Sequence, residues 1–317
     1  MTFKSKWLAP VALALLLAAC GEETDKEKDV TSEPVEQQAG EVAGPYTVVD
    51  DRGMEVTFDA VPETIVSLQP SNTEILFSLG VGDKIVGATD YDFYPAAAEK
   101  IERVSDTTTL NAERIVELNP DVVVAYTMSE IAQIDQLEAA GLKVFVIESA
   151  TSFDDVYSDI VQLSEVMGIE ETGEKVVADV HAQIASVEEK IATVETKKKV
   201  YYEIAPSPEI WTSGGDTFQQ EILTAAGVEN VFAEQTGWLS VTDEDVIALN
   251  PEAILTTANY LDDAVGEILS RSGWDTIQAV INKEVYLIDG EVMTRPATRI
   301  GEAVELVAKT VYPDLFK

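Results

Sequence analysis

The chain has 317 residues, of which 46% are hydrophobic, and its 58 acidic and 21 basic residues give a formal net charge of −37. Such a balance excludes the clustered lysines and arginines by which proteins bind nucleic acid or anionic membranes. The length suits two lobes better than one small domain. The only histidine, His181, excludes a metal site built from several histidines.

The N-terminus has the pattern of an export signal. Two lysines precede an apolar stretch of about a dozen residues, which is short for a membrane-spanning helix and fits the hydrophobic region of a secretory signal. The stretch ends in LAAC (17–20), which resembles the lipobox of bacterial lipoproteins. We therefore expect a signal peptide over 1–19 and a lipidated Cys20 that anchors the protein to the outer face of the cell membrane. An ordinary signal peptide and an uncleaved anchor are the alternatives.

Residues 20–45 are polar, charged and low in aromatic residues, so they cannot bury enough apolar surface to fold. We expect a flexible tether with a reach of about 25–30 Å. Such a tether holds the folded body near the membrane and leaves it free to turn.

Residues 46–150 predict an N-terminal α/β lobe. The segment 46–58 has two β-rich runs around DDRG, which predicts a hairpin. In the next helix, Ser71 is the predicted N-cap with Glu74 at the capping-box spacing, and Gly80 is the predicted glycine that ends the helix. Strands that alternate with helices predict a parallel sheet.

Residues 151–197 predict a helical region. Apolar residues recur at helical spacing through about 153–195, with a predicted break near Gly168 and Gly173. We expect a long bridging helix here, on which His181 is a solvated or capping residue rather than a metal ligand. The strand in KKKVYYEIA then opens a C-terminal α/β lobe over 198–317.

The second lobe repeats the first. TEIL at 73–76 matches QEIL at 220–223, and ERIVELNPDVVVAY at 113–126 matches EDVIALNPEAILTT at 244–257. The second pair opens on a glutamate in both copies, Glu113 and Glu244. We therefore expect an α/β protein of two similar lobes with parallel sheets, joined by one long helix, and a ligand cleft between them at the carboxyl ends of the strands.

Several segments together resemble the helical-backbone substrate-binding proteins of ABC importers, which take up cobalamin, ferric siderophores or haem. They are LQPSNTEILFSLG, VGATDYDFYP, ERIVELNPDVVVAY, the central helix and WTSGGDTFQQEILTAAGVENVF. The resemblance covers about 46–317, and QPSNTE is nearest to the cobalamin-binding members. It implies a monomer that is not an enzyme, has limited hinge motion and no cofactor of its own, captures a corrinoid carrying its own cobalt, and delivers it to a permease dimer with its ATPase.

The resemblance also implies roles for particular residues. Glu113 and Glu244 would dock to permease arginines, one from each lobe. The alternative for both is stabilisation of the helix dipole, worth roughly 0.3–1 kcal/mol.

Aromatic side chains would contact the ligand. Trp211 and Trp238, both expected in loops, map to contacts on the corrinoid, and Tyr91 and Tyr126 are the candidates in the first lobe. Packing within loops is the alternative, and Trp274 is expected to be structural.

Glu291 and Arg295 match ligand-contacting positions of the family, and Arg295 would also suit an anionic siderophore. Arg299 is interpreted as a surface ion pair. Where cobalamin-binding members have a further tryptophan after Val-Ser, this chain has VSDTT (104–108), which keeps a ferric siderophore or haem open. GG at 214–215 is interpreted as a rim loop. A lipoprotein enzyme of the envelope is a distant alternative, for which no nucleophile or metal motif is found.

Overall fold

The computed structural model describes residues 44–106, 109–127 and 131–317. The predicted signal peptide, Cys20 and nearly all of the tether lie outside the described residues, as do positions 107 and 108. None of the helices in the described ranges combines the length and apolar character that crossing a membrane would require.

The body begins with the predicted hairpin, in which β1 (Tyr46–Val49) pairs antiparallel with β2 (Glu55–Phe58). The ring of Tyr46 stacks on Phe58 at 5.3 Å, and its hydroxyl donates to the carbonyl of Val166 at 2.6 Å. The hairpin prediction is confirmed, and these contacts fix the hairpin to the helical region.

The N-terminal lobe contains a parallel sheet with the strand order β5-β4-β3-β6-β7. Its strands are β3 (Ile65–Ser67), β4 (Ile85–Thr89), β5 (Arg103–Ser105), β6 (Val122–Tyr126) and β7 (Val144–Ile147). The residues of β7 and all but the last of β6 are buried, as expected for central strands covered on both faces.

The C-terminal lobe contains a mixed sheet with the order β11-β9-β8-β12-β13, and β10 also pairs with β8. Its strands are β8 (Lys199–Ala205), β9 (Ile210–Ser213), β10 (Glu229–Asn230), β11 (Trp238–Val241), β12 (Ala253–Thr256) and β13 (Val285–Leu287). Strands β8, β10, β12 and β13 are parallel, whereas β9 pairs antiparallel with both β8 and β11. The expected parallel sheet is thus extended in this lobe by an antiparallel ribbon.

Helices flank both sheets. They are α1 (Pro70–Ser78), α2 (Ala112–Leu118), α3 (Ile131–Ala139), α4 (Phe153–Val166), α5 (Glu170–Ile191), α6 (Phe218–Ala225), α7 (Asp243–Leu249), α8 (Ala264–Leu269), α9 (Gln278–Asn282), α10 (Gly290–Thr294) and α11 (Ile300–Val311). Short 3₁₀ turns cover Gly82–Lys84, Ala98–Lys100, Trp274–Thr276 and Pro313–Phe316.

The bridging helix is α5, whose 22 residues span about 33 Å at 1.5 Å per residue. The break before it falls at Gly168, which has a φ of 61°. The break predicted near Gly173 is wrong, because Gly173 lies in the first turns of α5. A Cβ there would come within 2.2 Å of the Ser164 hydroxyl oxygen, so the glycine permits close packing of α5 on α4.

The duplicated unit is confirmed in the backbone. Helices α2 and α7 have seven residues each and end on Asn119 and Asn250, both left-handed with a φ of 47°. Asparagine tolerates this conformation, and the proline that follows each one cannot continue a helix. Each copy then enters a central strand, β6 or β12.

One hydrophobic core runs through both lobes. It includes Val122 and Phe145 from the first sheet, Leu163 and Val187 from the helical region, and Leu255 from the second sheet. The helical region therefore packs against both sheets instead of serving as an isolated linker.

Candidate functional site

The loops at the carboxyl ends of the two sheets meet. Tyr91 lies two residues beyond the end of β4, and Arg295 follows α10, the short helix after β13. The Arg295 guanidinium donates to the carbonyl of Tyr91 at 2.9 Å, across 204 residues of sequence. This contact places the strand ends of the two lobes against one another, where the sequence predicts the ligand cleft.

Two tryptophans share one face of the antiparallel ribbon. In the register of β9 and β11, Trp211 lies opposite Ser240 and Trp238 opposite Ser213. Directly opposed residues and residues two apart project from the same face of a sheet, so the two indoles are diagonal neighbours. Trp211 is 38% exposed and Trp238 49% exposed.

The expectation that both tryptophans lie in loops is wrong, since Trp238 is part of the edge strand β11 and Trp211 of the neighbouring strand β9. The rim glycines continue the ribbon beyond these strands. Gly214 donates to the carbonyl of Gly237 at 2.8 Å, and a Cβ on Gly214 would come within 2.1 Å of the Gln235 carbonyl oxygen. Glycine is therefore needed where the two chains approach each other.

Trp238 is connected to the cross-lobe contact. Its indole N–H donates to the Gln219 side-chain oxygen at 3.2 Å, and the Gln219 amide donates to the carbonyl of Met293 at 3.4 Å. Met293 precedes Arg295 by two residues, and Arg295 forms an ion pair with Glu291. The structure thus brings Trp238, Glu291, Arg295 and Tyr91 together.

Tyr126 ends β6, at the same edge of the N-terminal sheet as Tyr91 and two strands away in the sheet order. Its hydroxyl donates to the Ser149 hydroxyl at 2.5 Å, and burial raises the pKa of this phenol. Asn72, whose amide donates to the Ala125 carbonyl at 3.5 Å, lies beside it. Tyr126 is therefore more constrained than Tyr91, which is 51% exposed.

Glu74 has a role that the sequence prediction missed. Helix α1 begins after Gln69 and has no side-chain cap, so the capping box of Ser71 and Glu74 is wrong. The Glu74 carboxylate is instead buried and accepts hydrogen bonds from the Nε and Nη2 atoms of Arg299, at 2.9 and 2.6 Å.

Arg299 is therefore not a surface ion pair, because it is buried and pairs with Glu74 across the two lobes. Its guanidinium lies 3.8 Å from the centre of the Tyr94 ring. Burial raises the pKa of the Glu74 carboxyl, and the Arg299 and Arg295 guanidinium groups act against that rise. Two arginines lie within five residues in a chain where arginine is scarce, and this was the signal from which a special role for Arg299 could have been inferred.

Glu113 and Glu244 occupy the second position of α2 and α7, after the N-caps Asn111 and Thr242. Both glutamates are exposed, and neither carboxylate pairs with any other described residue. Trp274, which was expected to be structural, is fully buried, and its indole N–H donates to Asp243 at 2.7 Å.

Other aromatic residues near the strand ends were not predicted. Tyr260, in the loop after β12, is 67% exposed, and Phe93 and Tyr94 follow Tyr91 with half-exposed rings. His181 packs against Tyr157 with ring centres 4.1 Å apart and the ring planes tilted by 34°. Within the part of the chain that the structure describes, no three histidine, cysteine, aspartate or glutamate side chains form a ready metal site.

Comparison with known sequences gives a consistent result. Residues 65–292 match the family described as periplasmic binding protein. An uncharacterized ABC transporter substrate-binding lipoprotein of Bacillus subtilis, YvrC, is 38% identical over 98% of both chains. A vitamin B12-binding protein of Vibrio campbellii is 29% identical over 78% of this chain and 88% of its own.

Solved structures with the same fold have differing ligands in their names. A possible iron-binding, periplasmic solute-binding protein of Staphylococcus epidermidis has a TM-score of 0.72 at 30% identity, covering 79% of this chain and 99% of its own. The haem-binding protein RhuT of Roseiflexus has a TM-score of 0.73 at 25% identity, covering 80% of this chain and 99% of its own. The vitamin B12-binding protein BtuF of Vibrio cholerae has a TM-score of 0.67 at 26% identity, covering 81% of this chain and 98% of its own.

Proposed function

Because the chain belongs to the periplasmic binding protein family, we propose that it captures cobalamin or a related corrinoid outside the membrane and delivers it to the permease of an ABC importer. The binding protein would do no chemistry on the ligand. The lobes would hold it between the carboxyl ends of their sheets.

The observation that carries the proposal is the pair of exposed tryptophans on one face of the β9–β11 ribbon. Large aromatic faces bind flat macrocycles well, since each buries about 150–250 Å² and retains a polar N–H. Tyr91 supplies an exposed ring from the opposite lobe. Such a surface is unusual for a monomer unless it binds a partner or a ligand.

The charges at the site favour a corrinoid over an anionic iron chelate. Arg295 pairs with Glu291, and Arg299 pairs with Glu74, so both guanidinium charges are already compensated. A ferric siderophore or haem carrying carboxylates would gain more from an unpaired cation. These ligands remain the second candidate, because relatives of the same fold are named for iron and haem.

Titration calorimetry with cyanocobalamin, dicyanocobinamide, haemin and a ferric siderophore tests the ligand. We expect the corrinoids to bind, and Trp211→Ala and Trp238→Ala to weaken them. Ile281→Ala, an exposed apolar residue on α9, should have no effect. The ligand assignment is wrong if both corrinoids fail to bind below ~10 μM while an iron chelate binds.

We also propose that Glu113 and Glu244 dock the two lobes onto the permease dimer. Their matched helix positions, exposure and freedom from ion pairs within the described residues support this role. The double variant Glu113→Ala, Glu244→Ala should lose transport and keep its ligand affinity, whereas Glu189→Gln on α5 should keep both. A loss of affinity in the double variant would assign these glutamates to the fold or the cleft.

Anchoring through a lipidated Cys20 completes the proposal. Cys20→Ser should move the protein from the membrane fraction to the soluble extracytoplasmic fraction without changing ligand affinity. Retention in the membrane would contradict lipid anchoring and favour an uncleaved N-terminal segment.

A further inference from the structure

A buried tryptophan holds the start of α7. Trp274 belongs to the hydrophobic core of the second lobe, and its indole N–H donates to an oxygen of Asp243 at 2.7 Å. Asp243 is the first residue of α7 and directly precedes Glu244. A core side chain is therefore bonded to the helical turn that carries this exposed glutamate.

An ion pair lies against the Trp274 ring. The guanidinium carbon of Arg271 is 4.5 Å from the ring centre, within the range of a cation–π contact. Arg271 donates to both carboxylate oxygens of Glu203, at 2.6 and 2.9 Å. Glu203 is fully buried, and only 7% of the Arg271 side chain is exposed. Separating the pair would leave a buried charge without its partner, so the ring has firm support.

The ion pair connects this support to the tryptophan ribbon. In the register of the sheet, Glu203 of β8 lies opposite Thr212 of β9, the residue after Trp211. The Thr212 hydroxyl donates to the carbonyl of Tyr202 at 2.6 Å. The start of α7 is thus fixed to the strand beside the ribbon, in addition to its direct connection to β11.

The matching helix of the first lobe has no such bond. Ala112 occupies in α2 the position of Asp243 and has no polar atom in its side chain. The first turn of α2 is held by its N-cap Asn111, which accepts from the backbone N–H of Arg114 at 3.1 Å. Arg114 also pairs with Glu102, but this pair is exposed and solvent screens it. The two copies therefore carry their exposed glutamates on helices that differ in support.

We propose that Asp243 and Trp274 are positioning residues for the contact with the permease, because their hydrogen bond fixes the first turn of α7 so that Glu244 faces a positively charged partner surface in one orientation. This role depends on the docking function proposed above for Glu244. A group that is oriented before contact loses less entropy on binding, so the bond should raise the affinity for the permease. Asp243 itself is a poorer docking group, since it is half-buried and already accepts the indole N–H.

The affinity of the full mature chain for the permease–ATPase complex of its importer, held in lipid nanodiscs, tests the proposal. Asp243→Ala removes the acceptor and should weaken binding about tenfold. Asp243→Asn removes the charge but keeps an oxygen that can accept the indole N–H, so it should bind within about twofold of the unaltered chain. Asp275→Ala removes an exposed carboxylate beside Trp274 and should have no effect.

A double-mutant cycle shows whether the bond acts through Glu244. Adding Asp243→Ala to Glu244→Ala should weaken binding no further. The proposal is overturned if Asp243→Asn or Asp275→Ala weakens binding as much as Asp243→Ala, which would assign the effect to charge alone. It is also overturned if the loss from Asp243→Ala persists in full without Glu244.

The same measurements separate this role from the docking function. Unaltered affinity in Glu244→Ala would overturn the docking function and the positioning role with it. A loss in Glu244→Ala with none in Asp243→Ala would overturn the positioning role alone.

Hydrogen exchange of the free chain gives a readout that needs no permease. Asp243→Ala should speed exchange of the backbone amides at 245–249 by about threefold or more, whereas Asp243→Asn should not. The amides at 112–118, in the matching helix, should exchange at the same rate in all variants. Unchanged exchange at 245–249 in Asp243→Ala would show that the bond does not fix α7 and would overturn the proposal.

Discussion

Two glutamates at matched positions of the repeat make matching contacts of different chemistry. Glu74 of α1 binds Arg299, the residue before α11, and Glu221 of α6 accepts from the backbone N–H of Phe153, the first residue of α4, at 2.5 Å. Helices α4 and α11 follow the last strands of their respective lobes. Each glutamate therefore reaches the start of the helix that closes the other lobe. The position of the contact is the same in the two copies, whereas its chemistry differs, a buried ion pair in one and a bond to a backbone amide in the other.

The largest effect should come from breaking the buried contact. Glu74→Ala leaves Arg299 buried without its partner, which should lower the free energy of unfolding by about 3–5 kcal/mol in urea denaturation. Glu102→Ala removes an exposed pair with Arg114 and should lower the free energy of unfolding far less, because solvent screens such a pair. Equal losses in the two variants would mean that the cross-lobe pair contributes no more than a surface pair.

The closing helices differ in what they bury. The buried residues of α11 are apolar or glycine, whereas α4 buries Asp159. The pKa of Asp159 is raised to about 8 by burial and by Asp51, Asp155 and Glu148. The folded state thus holds a proton that the unfolded chain releases near pH 4, so stability from this group is complete below about pH 4 and is lost as the pH rises to 8.

Asp159→Asn should remove that dependence. We expect the difference in unfolding free energy between the variant and the unaltered chain to grow by up to about 1 kcal/mol per pH unit between pH 5 and 7.5, in favour of the variant. Other carboxylates titrate in both proteins and cancel in the difference. A constant difference across this range would show that Asp159 is ionised in the folded state.

The two lobes should also contribute unequally to the free energy of ligand binding. Trp238 is held by Gln219, whereas the Tyr91 ring has no hydrogen-bond partner in the described chain. Trp238→Ala should therefore weaken corrinoid binding by about 2 kcal/mol, or roughly thirtyfold, and Tyr91→Ala by about 1 kcal/mol. Calorimetry on both variants decides the order, and a larger loss at Tyr91 would place the main contact in the first lobe.

The smallest effect is expected at Glu221, the glutamate of α6 that matches Glu74. Glu221→Ala removes a half-buried hydrogen bond to a neutral amide and should lower the free energy of unfolding by about 1 kcal/mol. Urea denaturation beside Glu74→Ala makes the comparison direct. A loss as large as that of Glu74→Ala would mean that burial of a charge is not what separates the two contacts.

Local signals made the scaffold predictable. The Asn-Pro ends of α2 and α7, the glycine after α1 and the hairpin at 46–58 are specified by neighbouring residues, and all of them are found as expected. The ribbon was missed because β9 and β11 are separated by a helix and a short strand, and nothing near either tryptophan shows that the two pair.

The other differences between the sequence-based predictions and the structure arise from burial by residues distant in sequence. Glu74 and Arg299 are 225 residues apart, so the sequence around Glu74 shows only the spacing of a helix cap. The spacing of residues along α4 does not indicate that Asp159 is buried. Its burial depends on Asp51 and on the loop after β7, which reach it through tertiary packing.

Several connections join the lobes, among them α5 with the shared core, the Glu74–Arg299 pair, the Glu221–Phe153 bond and the Arg295–Tyr91 bond. A body joined at several places retains few degrees of freedom, so we expect its opening to have nearly the same width before and after loading. Less entropy is then lost on capture, and the radius of gyration of the free and loaded protein should be nearly identical. On this expectation, the size of an acceptable ligand would be set by the gap in the free protein and not by how far the two lobes can move.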